Sequence, residues 1–273
     1  MPPLNATKLT SALVRPEALW RDVRVVPETG STNADLLAEA RAGAGEGVVL
    51  AAETQTAGRG RMGRHWVSPP HAGLTFSVLL RPRSVPASAF GWLPLLAGVA
   101  TATAVSAAAA VDAVLKWPND VLVGGSKLAG ILAESRGDAV VVGIGINVSQ
   151  RPAELPARGA TSVLLEANPP AEPAAETKAA SLRDQLLVAV LGELSRWYLA
   201  WRDQASPGDA DGCGLRGEYT RLCATLGREV TVSLPSGQSL TGIASGLDAA
   251  GRLEVKTGGG LVAVSAGDVT HVR

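Results

Sequence analysis

Between Arg83 and Asp112 the chain carries no charge, and a stretch that long must be kept from water, either across a membrane or inside a large core. Its composition decides between them. Pro86, Gly91, Pro94 and Gly98 interrupt it and Ala, Thr and Ser fill much of the rest, too weakly apolar a mixture for a span. A buried, Ala-rich helix over Trp92 to Leu115 is expected instead. Such a helix needs a sheet and other helices around it, and 273 residues at 46% hydrophobic and 18% charged can build both.

The elements around it are legible by period. Leu9, Leu13, Ala18 and Leu19 suggest a weak N-terminal helix, and Val23, Val25 and Val26 a strand ended by Pro27. Thr32 and Asp35 have the spacing of a capping box, with Leu36, Leu37 and Ala40 following at helical intervals. Val48–Glu53 and Leu74–Leu80 read as strands. Val121–Val123 and Lys127–Glu134 read as a hairpin turned by Gly124-Gly125-Ser126, and Val140–Val148 as a strand whose glycines bare one face. Residues 149 to 175, rich in Pro, Ala and Glu, read as an excursion with one short helix at most. From Glu176 to about Gln204, Leu182, Leu186, Val190, Leu194, Trp197 and Trp201 mark a helix. After Cys223 the pattern turns to short alternating runs separated by Pro-Ser-Gly, Asp-Ala-Ala-Gly and Gly-Gly-Gly, a small β barrel. The expected fold is α/β (α+β type): a mixed sheet with packed helices over residues 1–222, then a small SH3-like barrel over residues 223–273.

The chemistry is concentrated between the first two long strands. In Gly58-Arg59-Gly60-Arg61-Met62-Gly63-Arg64-His65-Trp66, three glycines alternate with three arginines and an aromatic follows. Glycine lets backbone N–H groups approach a ligand, and guanidinium forks match carboxylate and phosphate oxygens. Gly58-x-Gly60-x-x-Gly63 matches the dinucleotide fingerprint by letter, but Arg64 to Pro70 cannot open the helix that a Rossmann loop requires. No Gly-Lys-Ser/Thr follows, so it is not a P-loop. Three histidines and no G-x-S-x-G elbow give a nucleophilic triad little to draw on, and no ligand spacing suggests a metal site. Lys+Arg 25 against Asp+Glu 25, with a single such loop, argues against nucleic acid as the main partner. Cys213 and Cys223 form no disulfide framework and the N-terminus lacks a signal pattern. A cytoplasmic, anion-handling enzyme without a covalent protein intermediate is the remaining expectation.

Gly58–Arg64 with Trp66, Lys116-Trp117-Pro118-Asn119-Asp120, Lys127-Leu-Ala-Gly-Ile-Leu132 and Gly143-Ile-Gly-Ile-Asn147 stand in the order and approximate intervals of the biotin protein ligases, and Ser31-Thr32-Asn33 and Gln55 match as well. The chain resembles that family from about residue 20 to its C-terminal barrel. The resemblance implies a two-step ligase: biotin and ATP give biotinyl-5′-AMP and pyrophosphate, then a lysine of a biotin carboxyl carrier domain of an acyl-CoA or pyruvate carboxylase takes the biotin.

By the same resemblance, Ser31, Thr32, Asn33, Gln55, Arg59, Gly60, Arg61, Lys127 and Gly130 hold biotin. Arg61, Arg64, Trp66, Asn119, Lys127 and Asn147 hold ATP, Mg²⁺ accompanies the nucleotide, and Lys127, Arg59 and Asp120 act on the reacting groups. For Lys116 and Asp120 the alternative is a local ion pair on a turn. Met62 stands where the bifunctional members carry another arginine. The short N-terminal stretch leaves no room for a winged-helix domain of about 60 residues, so the resemblance is to the monofunctional class, acting as a monomer or weak homodimer without repressor activity. The loop is expected to be mobile until ligand arrives.

Overall fold

The computed structural model describes residues 2–155, 159–167 and 175–272, with the side chains of 175–181 excepted. Parts of the expected excursion, residues 156–158 and 168–174, lie outside the described residues. The elements run α1 (Ala6–Leu13), β1 (Asp22–Thr29), α2 (Thr32–Arg41), β2 (Val48–Gln55), β3 (Gly73–Leu80), α3 (Trp92–Ala109), β4 (Ala113–Lys116), β5 (Asp120–Val123), β6 (Ser126–Arg136) and β7 (Ala139–Asn147). There follow α4 (Val163–Glu166), α5 (Ala175–Arg202), α6 (Leu215–Leu222), β8 (Glu229–Ser233), β9 (Ser239–Leu247), β10 (Leu253–Thr257), β11 (Gly260–Val264) and β12 (Asp268–His271).

Seven strands form one mixed sheet in the order β1-β2-β3-β7-β6-β5-β4. Only β1 and β2 are parallel, joined through α2; every other pair is antiparallel. Period-two alternation along β7 shows how the layers are divided. Val140, Val142, Ile144 and Ile146 point into the main core with α3 and α5, whereas Ala139 and Val141 join Leu36, Val48, Leu50 and Leu79 beneath α2. Further along that second face come Gly143 and Gly145. There the N-terminus of α2 reaches only Gly143, through Asn33, and no side chain from the strand fills the space.

The uncharged stretch is a core helix. Trp92, Leu93, Leu95, Leu96, Val99 and Val105 of α3 are all buried, and α3 packs on α5. In α5, Leu186, Leu187, Val190, Leu191 and Leu194 supply the facing stripe. The helix ends at Ala109, before the expected Leu115, with Ala110 left-handed at φ 54°. Ala113–Lys116 is instead an edge strand paired with β5. An apolar run of four residues has no period of its own, so its partner decides its conformation.

Two further boundaries differ from the sequence reading. Strand β1 runs through Pro27 to Thr29, which is possible because β1 is an edge strand and Val26 and Glu28, not Pro27, pair with β2. The cap of α2 is Ser31, whose Oγ accepts from Ala34 N at 3.5 Å, and Thr32 is the first helical residue. The Gly124-Gly125 turn is as expected, both residues having positive φ (56° and 80°) as a type I′ hairpin requires.

The C-terminal strands form a five-stranded antiparallel sheet in the order β11-β10-β9-β8-β12. It is tied to the first sheet by Trp117, which is buried, donates from Nε1 to Gly251 O at 3.3 Å and from its backbone N–H to Thr225 Oγ1 at 3.1 Å. Trp92 Nε1 donates to Ala249 O at 2.8 Å. These contacts bring Gly267 and Asp268 over the end of the first sheet where the glycines lie.

One charged cluster sits inside the core. Arg183 of α5 and Glu53 of β2, both nearly without exposure, are 2.5 Å apart (Nη2 to Oε2). Burial pushes the Glu53 carboxyl up, but the Leu4 N–H, Arg183 and His71 together outweigh it and hold the group below its ordinary value.

Candidate active site

A recess open to solvent on one side lies over the glycine face, a concave site with convergent polar groups of the kind small molecules occupy. The N-terminus of α2, the loop between β2 and β3, the β4–β5 turn, β6, β7 and Asp268 all contribute to its wall. Thirteen of the expected residues line it: Ser31, Thr32, Asn33, Gln55, Arg59, Gly60, Arg61, Arg64, Trp66, Asn119, Asp120, Lys127 and Gly130. Asn147 is not among them. Its amide donates to Thr161 O at 2.9 Å and its Oδ1 accepts from Gln150 Nε2 at 3.2 Å, so the side chain holds the segment that follows β7.

At the α2 end a chain of hydrogen bonds fixes the polar groups. Gln55 Oε1 accepts from the backbone N–H of Thr32 at 2.8 Å, which orients the amide. Ser77 Oγ donates to Asn33 Oδ1 at 2.6 Å, and Asn33 Nδ2 donates to Glu134 Oε2 at 2.8 Å. With its proton spent on Asn33, Ser77 can only accept from Thr32 Oγ1, 2.7 Å away. Thr32 therefore turns lone pairs, and Gln55 its Nε2 donors, toward the cavity.

Gly143 makes this network possible: a β-carbon there would fall 2.2 Å from Asn33 Oδ1. Gly143→Ala is therefore expected to break the Ser77–Asn33–Glu134 chain and cost about 1–3 kcal/mol for the buried groups left unpaired. A denaturant midpoint measures the loss, and an unchanged midpoint would show that the network has room to give.

The glycine-arginine loop folds on itself. Trp66 N donates to Gly58 O at 2.9 Å, Gly60 N to Arg64 O at 2.6 Å, and Met62 sits at the tip with φ 54°. A single 3₁₀ turn, Arg61–Gly63, stands where a dinucleotide fold would start a helix. The Trp66 indole covers the glycine strip, since a β-carbon at Gly145 would lie 2.3 Å from its Cε2 and one at Gly130 3.2 Å from its Cζ3. Its Nε1 is buried and, among the described residues, has no hydrogen-bond partner.

Every cation on the cavity wall rests on a group of the protein itself. Lys127 Nζ lies 2.6 Å from Asp120 Oδ1, charge facing charge but outside hydrogen-bond geometry. Arg59 Nη1 is 3.6 Å from Glu134, and Arg64 Nη2 is 2.8 Å from Asp268. Arg61 donates to Asn119 Oδ1 at 3.1 Å and Gly267 O at 3.4 Å, and burial lowers its pKa from the ordinary value. Asp120 thus pairs with Lys127 and not with Lys116, the ion pair considered from sequence. The Lys127 backbone is held on its other side by Gly159 O and Thr161 N.

Sequence reasoning missed Ser77, Glu134 and Asp268. A lone serine in the buried run Leu74–Leu80, placed opposite Gly143 in the register, is a signal for the first. Asp268 carries no local signal, because only the packing of the two sheets brings it near Arg64.

Similarity to known proteins decides the family. The Biotin/lipoate A/B protein ligase family model matches residues 26–150, and the Biotin protein ligase C terminal domain model matches residues 225–272. A biotin–[acetyl-CoA-carboxylase] ligase of Mycobacterium tuberculosis is 45% identical, covering 100% of this chain and 97% of its own. One from Paracoccus denitrificans is 34% identical over 90% and 98%. The chain belongs to the biotin protein ligase family. A solved biotin protein ligase from Aquifex aeolicus, in complex with biotin and ATP, superposes with a TM-score of 0.74 at 28% identity, covering 93% of this ligase and 100% of that chain. The fold of this biotin protein ligase, a mixed sheet with helices followed by an antiparallel sheet, is thus that of its relatives, and the cavity lies on the residues that carry the family motifs.

Proposed function

We propose that this biotin protein ligase joins biotin to ATP and passes it to a carrier protein. A carboxylate oxygen of biotin attacks the α-phosphorus, the bond to the β-phosphate breaks, and pyrophosphate leaves. The ε-amine of a carrier lysine then attacks the carbonyl of biotinyl-5′-AMP, AMP leaves, and the amine proton passes to a base. The observation that carries this reading is the convergence over Gly130. A β-carbon there would lie 3.3 Å from Lys127 Nζ and 3.2 Å from the Trp66 ring, so the cation borders both a polar pocket at Thr32 and Gln55 and an aromatic surface suited to a base.

Thr32 lone pairs and Gln55 donors suit a ureido ring, which both gives and accepts hydrogen bonds. Ser31, Asn33 and Gly60 complete that end, and Arg59 and Arg61 fold over it. Arg64, Asn119 and Trp66 serve the nucleotide; Asn147 backs the wall behind them. The exposed pairs of Arg59 and Arg64 are worth at most about 1 kcal/mol each, so ligand anions exchange for them at little cost. Among the described residues no cluster of three His, Cys, Asp or Glu could hold a metal, and the nearby acids Asp120 and Asp268 already face cations. Mg²⁺ is proposed to accompany the nucleotide, as the magnesium complex of ATP.

Asp120, 2.6 Å from Lys127 Nζ, is proposed to orient the incoming carrier lysine and take its proton. Asp120→Asn is expected to slow transfer to the carrier by about 100-fold while adenylate formation falls less; equal survival of both steps would remove the role. The ligase is proposed to act in the cytoplasm on a biotin carboxyl carrier domain, as a monomer or weak homodimer, with residues 1–222 as the catalytic domain and 223–273 as a small C-terminal β-barrel domain. Repression of transcription is not part of this reading. Incubating the ligase with ATP, a carrier domain and either biotin or lipoate tests the whole: labelling with biotin alone supports it, and labelling with lipoate alone overturns it.

A further inference from the structure

The strands that flank the glycine-arginine loop stop pairing before the loop begins. Strands β2 and β3 are in register from Val49↔Val78 to Ala52↔Thr75 and no further. Beyond that point Glu53 leads toward the loop along β1, while Gly73 returns from it beside β7. A loop of residues 56–72 leaving such a divided base would have two independent feet.

Arg183 spans the gap, alongside the contact between Glu53 and His71 of the returning arm. Arg183 Nη2 meets Glu53 Oε2 at 2.5 Å and Arg183 Nε donates to Gly73 O at 2.9 Å, with the guanidinium fully buried. The same carboxylate takes the Leu4 N–H on Oε1 at 2.5 Å and faces His71 Nδ1 at 2.9 Å. His71 lies in the returning arm of the loop and has φ 61°. Arg183 also reaches Pro2 O at 3.4 Å, so residues 2–4 cover the junction from outside.

We infer that Arg183 is a positioning residue for the ligand loop, its guanidinium holding the loop's two feet at a fixed separation so that Arg59, Arg61, Arg64 and Trp66 close over the cavity together. The inference rests on the proposed adenylate chemistry for its functional consequence, though not for its structural one. A buried charge pair contributes little net stability against an apolar replacement. What this one supplies is a rigid fork, two donors in fixed directions, placed where the sheet's own ladder is absent.

Arg183→Lys tests this, because an ammonium keeps the charge opposite Glu53 but lacks the planar fork that reaches Gly73 O as well. Amide exchange across residues 56–66 is expected to rise by about tenfold with the strands unchanged, as for a local opening. Bound biotinyl-5′-AMP should be lost to water about tenfold faster, while its formation at saturating biotin and ATP changes less than about threefold, since closure rather than chemistry is affected.

Leu186→Ala, a core change in the same helix, serves as control and should lower stability without singling out the loop. Loop exchange equal to the wild type, or rising in step with the whole sheet, overturns the inference. If the wild type forms no biotinyl-5′-AMP, the proposed function fails and the exchange contrast still decides the role of Arg183. If Arg183→Lys does not fold, His71→Ala, on the half-exposed side of the same carboxylate, is read instead. About threefold faster loop exchange supports the anchor, because the carboxylate keeps its other partners, and no change contradicts it.

Discussion

Lys127→Ala is expected to slow formation of biotinyl-5′-AMP by about a thousandfold while leaving the fold intact. The size follows from the charges. Two anions brought to about 4 Å at an effective dielectric near 20 repel by about 4 kcal/mol, and a barrier raised by that amount costs about three powers of ten. Lys127 is the cation best placed to offset it, since its Nζ borders Gly130 and Asp120 at the centre of the cavity. The surrounding backbone is fixed independently by Gly159 and Thr161, so truncation at Cβ removes the charge without loosening the strand. Lys127→Arg is expected to recover little, because a wide guanidinium places its donors differently from a compact ammonium. Pre-steady-state pyrophosphate release measures both variants, and a rate within tenfold of the wild type for Lys127→Ala would exclude the role.

Glu53→Gln is expected to be the most destabilising of the substitutions considered, by about 3–5 kcal/mol at neutral pH, because it leaves Arg183 buried opposite a neutral group. The pH dependence has a definite sign. The Glu53 carboxyl titrates below its ordinary 4.5 in the folded chain. The unfolded chain therefore takes up the proton first, and the contribution of Glu53 is complete above the ordinary value and lost as the pH falls through the lower native one. Denaturant midpoints followed from neutral to acid pH should fall more steeply in the wild type than in Glu53→Gln. Parallel acid limbs would show that other carboxylates govern acid unfolding.

Much of the site was readable because it is written in residues with few alternatives. An uncharged stretch of that composition is best buried; alternating glycine and arginine favour an irregular loop rich in cations; Gly143 and Gly145 mark a face without side chains. Each is a local statement. The parts that escaped depend on packing between distant segments. Ala113–Lys116 is a strand because β5 lies beside it, and Asp268–His271, with a single valine, is a strand because it pairs with β8. Asp268 meets Arg64, and Glu134 meets Arg59 and Asn33, across long separations in the chain. Arg183 and Glu53 are 130 positions apart, and nothing near Arg183 in α5 distinguishes it from a solvated helix residue. Cap and end positions also moved, Ser31 for Thr32 and Ala109 for Leu115, where propensity is nearly even and neighbours decide.

In the proposed mechanism, cations from the glycine-arginine loop and one strand lysine bring two mutually repelling acids into bonding contact. Mixing the ligase with biotin and α-labelled ATP, without any carrier, and resolving the bound nucleotide by mass spectrometry tests it directly. We expect biotinyl-5′-AMP in an amount close to that of the enzyme, with matching pyrophosphate, and neither product from Lys127→Ala on the same timescale. ATP left intact in the presence of biotin, or the mixed anhydride accumulating equally in Lys127→Ala, would contradict the account.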